Sequence, residues 1–201
     1  MLLRFVILLI SHYCRKLFGG CMSDIKSKNT SLENDNATYL SLTFEIEKGK
    51  APGMQVQLLS DEGGRKNYIV VFKKGDEAFA GLHEFAEKYQ VKNARFTAIG
   101  ASSNIILGWI CPEKKLYKKI SPPGQVEIGS MIGNIALFKD KPVVHAHAVV
   151  SASDGTTRGG HLFELHVWPT LEVMVTVEPT EMNKLVDREI GIPLIVPCCG
   201  E

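Results

Sequence analysis

Only one stretch of this chain carries a helical period. In EAFAGLHEFAEKYQV the apolar residues Phe79, Leu82, Phe85, Ala86 and Tyr89 recur at three- and four-residue intervals, which predicts an amphipathic helix of about three turns. His83 lies beside that stripe and reads as a surface or boundary histidine. Elsewhere apolar residues alternate with polar ones. YLSLTFEIE, starting at Tyr39, and the run from Asn67 to Lys73 read as strands before the helix. After it, ARFTAIGASSNIILGWI reads as two strands broken near residues 100–103, and KKLYKKI as a short strand before the turn Ser121-Pro122-Pro123-Gly124. QVEIGSMIGNIALF is a strand in which Gly129 and Gly133 mark bulges or close backbone approach. PVVHAHAVVSA, GGHLFELHVW and LEVMVTVE complete the series. Without βαβ alternation the chain lacks the crossovers a parallel sheet requires. The predicted fold class is α+β: a single compact domain, mainly antiparallel β-sheet, packed with one principal helix.

The ends read differently from the middle. Residues 1–38 are taken as a leader or polar N-terminus, 39–195 as the folded domain and 196–201 as a tail. In MLLRFVILLISHYCRKLFGGC the apolar run from Phe5 to Ile10 is too short to span a bilayer, and Arg15-Lys16 interrupts it. Met22, followed by the polar SDIKSKNTSLENDN, is an alternative start. The cysteines at 14, 21, 111, 198 and 199 are odd in number and form no CxxC pair, so a cytoplasmic, reducing location is expected. A signal or lipoprotein anchor at Cys21 is the alternative.

The chemistry concentrates in HAHAVVSASDGTTRGGH, which holds three of the six histidines. His145 and His147 are two apart on a strand and share a face. If a hairpin turns about Asp154, with Gly155 free to take positive φ, His161 falls opposite His147 on that face. Three imidazoles then converge. Neutral imidazoles suit a divalent transition metal, zinc first, and three protein ligands leave a coordination position open. The competing reading is a polar patch in which the rings bond to carbonyls or to one another. Gly159-Gly160 reads as a bulge that re-aims His161, or as room for a ligand. His166 has the opposite parity to His161 and faces away unless a bulge intervenes.

The segment EIGSMIGNIALFKDKPVVHAHAVVSASDGTTRGGHLFELHVWPTLEVMVTV closely resembles the signature region of the plant and prokaryote conserved (PPC) domain. FKKGDEAFAGLHEFAEKYQVKNARFTAIGASSNIILGWICPEKKLY matches upstream in order and spacing, so the resemblance spans about residues 40 to 195. It implies a compact α+β domain that assembles as a homotrimer, with a metal at the positions of His145, His147 and His161. Plant members join the domain to AT-hooks and act as DNA-binding regulators. This chain has no Arg-Gly-Arg-Pro hook and resembles the prokaryotic type.

Two functions compete. One is a homotrimeric DNA-binding or regulatory module that carries a metal. Charge speaks against a strong grip on DNA, because 23 Lys and Arg face 22 Asp and Glu and the short runs Lys114-Lys115 and Lys118-Lys119 suit a solvated strand edge. The other is a metal-dependent enzyme acting on a small molecule through the open coordination position. That reading needs an acid or base near the ion. Glu127, on a strand expected to neighbour the histidines, is the candidate, ahead of Asp154 and Glu164; its plainer role is a structural carboxylate paired with Lys or Arg. No membrane partner is expected.

Overall fold

The computed structural model describes residues 37–42 and 46–197. The leader and four of the cysteines lie outside the described residues; Cys111 is a free thiol, half-buried. In chain order the elements are β1 (Tyr39–Leu40), β2 (Gln55–Glu62), β3 (Arg65–Lys73), α1 (Ala78–Lys88), β4 (Asn93–Cys111) and β5 (Leu116–Ile120). Then come β6 (Val126–Phe138), β7 (Lys141–Ser151), β8 (Thr157–Val177), β9 (Asn183–Val186) and β10 (Pro193–Val196). The expected α+β class holds, with one helix among the described residues and every strand pairing antiparallel except a single β6–β9 contact.

The pairing closes on itself. β4 pairs with β6 along one edge and β8 along the other, β6 pairs with β7, and β7 pairs with the start of β8. The second half of β8 carries β3, and β2 follows as the outer strand. Alternate residues face inward, as the period of two requires. Phe96 of β4, Met131 and Ile135 of β6, Val144, Ala146 and Ala148 of β7, and Leu162, Leu165 and Leu171 of β8 are all buried. Helix α1 adds Phe79, Leu82 and Phe85 to this core. It docks closely, since a Cβ on Gly81 would lie 2.3 Å from Cε1 of Phe72.

Two sequence expectations are corrected. The stretch from Asn93 to Cys111 is one strand, not two, because bulges at Ala98/Gly100 and near Ser102 bend it without ending the ladder. Likewise GGHLFELHVW and LEVMVTVE belong to one strand of 21 residues that runs on through Pro169. The glycine expectation in β6 holds at both positions. The β6–β7 register shifts between Ile128 and Ser130, at Gly129, and a Cβ on Gly133 would press on Phe96 and the carbonyl of His145.

The start of α1 is tied to β8. Glu77 caps the helix, and its carboxylate accepts from the N–H of Phe79 at 3.0 Å, of Ala80 at 2.7 Å and of Leu165 at 2.8 Å. The N–H of Val167 donates to the carbonyl of Asp76 at 2.9 Å. Further along the helix, His83 lies between α1 and β7. Its Nδ1 is 3.0 Å from the Phe79 carbonyl and therefore donates, and its Nε2 accepts the Val144 N–H at 3.1 Å. β7 pairs with β8 only from His147 onward, so His83 satisfies a backbone donor that the ladder leaves free.

Candidate metal centre

The hairpin between β7 and β8 turns where the sequence places it. Gly155 has φ +79°, and Asp154 Oδ1 accepts from both the N–H and the Oγ1 of Thr156. Ser151 pairs with Thr157 and the register runs without a shift to His147 opposite His161. The three rings gather on the outer face of the sheet, with centroids 5.2 Å apart for His145–His147, 5.0 Å for His145–His161 and 5.6 Å for His147–His161. One nitrogen from each lies within 4.8 Å of the others.

The unbroken register corrects the reading of Gly159-Gly160 as a bulge. Gly160 is small because a Cβ there would lie 2.7 Å from the Gly108 carbonyl oxygen. Gly108, opposite His161 on β4, is itself hemmed in by Phe163 and Tyr117. These two aromatics hold His161 in place. Tyr117 stacks on its ring at 4.9 Å, and Phe163 meets it edge-on at 5.0 Å. Neither aromatic stands out in the sequence as part of a site, because the pairing of β5 with β4 is what brings Tyr117 across.

Electrostatically the site suits a cation bound by neutral rings. Burial, followed by the Lys184 ammonium and the His147 ring, lowers His145 to about 4. Burial, then His145, His147 and Lys184, lowers His161 to about 3. Both rings are therefore unprotonated near neutral pH, and no proton has to leave them before a metal binds. Nδ1 of His161 is buried with no hydrogen-bond partner among the described residues. A buried, unpaired ring nitrogen is a group that needs a ligand. An ion at 2.0–2.1 Å from each nitrogen requires nitrogens about 3.3 Å apart, so modest ring rotations bring these donors into range. The donor set fits a divalent transition metal.

Glu127 is not brought to this site. It is exposed and pairs with Ser151, whereas the residue of β6 opposite His147 is Ile132. Four residues of strand, about 13 Å, separate Ser151 from His147. β6 does neighbour the histidines as expected, but its register carries the carboxylate past them. Asp154 stays in the exposed turn.

Glu164 and His166 form a second group. The β4–β8 register shifts between Leu162 and Glu164, and after this bulge Leu165 is buried as Leu162 is. The bulge reverses the parity of the residues beyond it, so His166 does not face away. It bonds to Glu164, and both line a cavity of about 370 Å³ with Lys50, Glu77, Phe79 and Phe163. Burial raises the Glu77 carboxyl, against the lowering effect of the three N–H groups it accepts from and of His166. Phe163 thus has His161 beside it and also borders this cavity.

The Plants and Prokaryotes Conserved domain model matches residues 59–179, more than half of the chain. The chain belongs to this family. Three solved structures place the PPC domain among known relatives. A PPC protein from Pyrococcus horikoshii is 27% identical, with a TM-score of 0.62, covering 71% of this chain and 95% of that one. A metal-containing protein from Archaeoglobus fulgidus is also 27% identical, with a TM-score of 0.61 and coverage of 70% and 99%. A Ralstonia eutropha JMP134 protein, named "putative DNA-binding protein", is 29% identical, with a TM-score of 0.63 and coverage of 75% and 97%. No curated protein matches the chain. No helix among the described residues is long and apolar enough to cross a membrane.

Proposed function

We propose that this PPC-domain protein is a homotrimeric regulatory module of the DNA-binding type that holds one divalent transition metal, zinc by its donor chemistry, at His145, His147 and His161. The convergence of three imidazoles, two of them held neutral and one with an unpaired buried nitrogen, carries the metal assignment. The metal-containing relative from Archaeoglobus fulgidus supports it. Self-association is supported by the outer face that bears the triad. Ile132 and Met174 flank Thr97 in one cross-strand row, Ile99 follows two residues on, and all three apolar side chains are more than half exposed. The DNA-binding role rests on the family and on the name of the Ralstonia eutropha relative.

When bound, such an ion supplies Lewis-acid polarisation, and its open position favours the second reading, a small-molecule enzyme. That reading meets an obstacle in the absence of a carboxylate beside the triad among the described residues; the His166–Glu164 pair lines the cavity that Phe163 borders. Metal analysis of the purified chain tests the main proposal. It should hold close to one zinc-class ion per chain, and His147→Ala with His161→Ala should abolish loading. Full retention in the double variant refutes the assignment. Turnover of a small ester or amide that depends on His147, and survives Glu127→Gln, would favour the enzyme reading.

A further inference from the structure

None of the three histidines of the triad lines the cavity at the start of α1. Its volume of about 370 Å³ falls within the range of about 300–1,000 Å³ over which proteins hold small molecules. The walls come from β1, the loop ahead of β2, the first turn of α1, β4 and β8. Backbone contacts fix three of these to one another. The Glu77 N–H donates to the Lys50 carbonyl at 2.9 Å, Leu165 N–H donates to Glu77 Oε1 at 2.8 Å, and Glu77 and His166 form an antiparallel bridge. The bulge in β8 supplies the rest. Ile106 pairs with Glu164 and Leu107 with Leu162, so Phe163 is the extra residue. Bulges re-aim side chains, and this one brings Phe163, Glu164 and His166 together at the cavity. Stability gives little reason for that arrangement, because the Glu164–His166 pair is more than a third exposed and such pairs contribute little.

Charge then decides what belongs there. Three carboxyl groups line the cavity, on Glu47, Glu77 and Glu164, against one ammonium on Lys50 and one imidazole on His166. Lys50 is already paired with Glu47 at 2.6 Å, and Glu77 uses both oxygens on three backbone N–H groups. Glu164 bonds to His166 through one oxygen, and among the described residues its other oxygen accepts no hydrogen bond. The remaining wall is apolar, with Ile46, Phe79, Ile106 and Phe163. An anion would meet an excess of carboxyl groups, and a neutral apolar molecule would take the open Glu164 oxygen out of water without a donor. We propose that this cavity binds a small organic cation, a primary ammonium on a short apolar body, with Glu164 as its counter-ion and Phe79, Ile106 and Phe163 around the body. The site stands whether or not the triad holds a metal.

Calorimetric titration of the full-length protein with phenethylamine tests it, with 2-phenylethanol and 3-phenylpropionate as neutral and anionic molecules of similar shape. The amine should bind saturably and roughly tenfold or more tighter than the alcohol, the worth of one charged hydrogen bond, and the carboxylate should bind weakest. Glu164→Gln should remove that advantage and leave the affinity for the alcohol unchanged. Repeating the titration with a chelator present separates the cavity from the triad: amine binding that persists supports the cavity, and binding that vanishes places the amine on a metal and overturns the proposal. No binding of the amine, or equal amine affinity in wild type and Glu164→Gln, also overturns it. Should Glu164→Gln not fold, the wild-type comparison decides: an amine that binds no tighter than the alcohol sinks the proposal.

Discussion

Acidification should expose what His83 does. Burial lowers its ring to about 4 from 6.5, outweighing the Phe79 carbonyl and Glu87, which act to raise it. Protonation would place a second N–H on the ring, facing the Val144 N–H that Nε2 now accepts. The unfolded chain takes up this proton near pH 6.5 and the folded chain refuses it until about pH 4. The His83 contribution is therefore complete above pH 6.5, shrinks as pH falls through that window, and stops changing below about 4. At about 1.4 kcal/mol per pH unit the loss totals about 3 kcal/mol. His83→Leu removes the titrating group and leaves the Val144 N–H unpaired, at a cost of about 1–3 kcal/mol at pH 7.5. The gap between wild type and variant should then close, or reverse, by pH 4.5. Urea unfolding followed by tryptophan fluorescence, with chelator present and protein concentration fixed, measures it; in the difference, titration of the remaining histidines cancels. A gap that stays constant from pH 7.5 to 4.5 refutes the assignment.

The other predictions are simpler. Gly160→Ala puts a Cβ 2.7 Å from the Gly108 carbonyl oxygen, so two backbones must part, and a loss of about 1–3 kcal/mol is expected by thermal melting; an unchanged Tm contradicts the close approach. Light scattering should give about three times 22.2 kDa, and Ile132→Lys should lower that mass; a monomeric wild type rejects the trimer. Mixed-sequence duplex DNA should bind no tighter than about 10 μM at physiological salt, given a net charge of +1; submicromolar, sequence-selective binding by anisotropy would promote the DNA-binding role.

Much of the candidate metal centre is legible in the sequence because it is local. A strand's period of two puts His145 and His147 on one face, and symmetry about Asp154 places His161 opposite His147 with no knowledge of the rest of the fold. The helical period of Phe79, Leu82 and Phe85 marks α1 for the same reason. β2 left no such trace, since most of its residues are exposed and nothing in QVQLLSDE alternates between core and solvent. Bulges are equally silent in the sequence, so β4 reads as two strands and His166 as facing away.

The tertiary structure alone decided how these local pieces meet. The register of β6 on β7 carries Glu127 past the histidines and sets Ile132 beside them. Pairing of β5 with β4 lays Tyr117 on His161, and docking of α1 turns a boundary histidine into a bonded link to β7. Lys184 looks in the sequence like any other surface lysine. Its burial comes from where β9 meets the end of β6, far along the chain from the strands it lies beside. Periodicity records which way a residue points on its own element; what it points at depends on packing between elements distant in sequence, which no local pattern encodes.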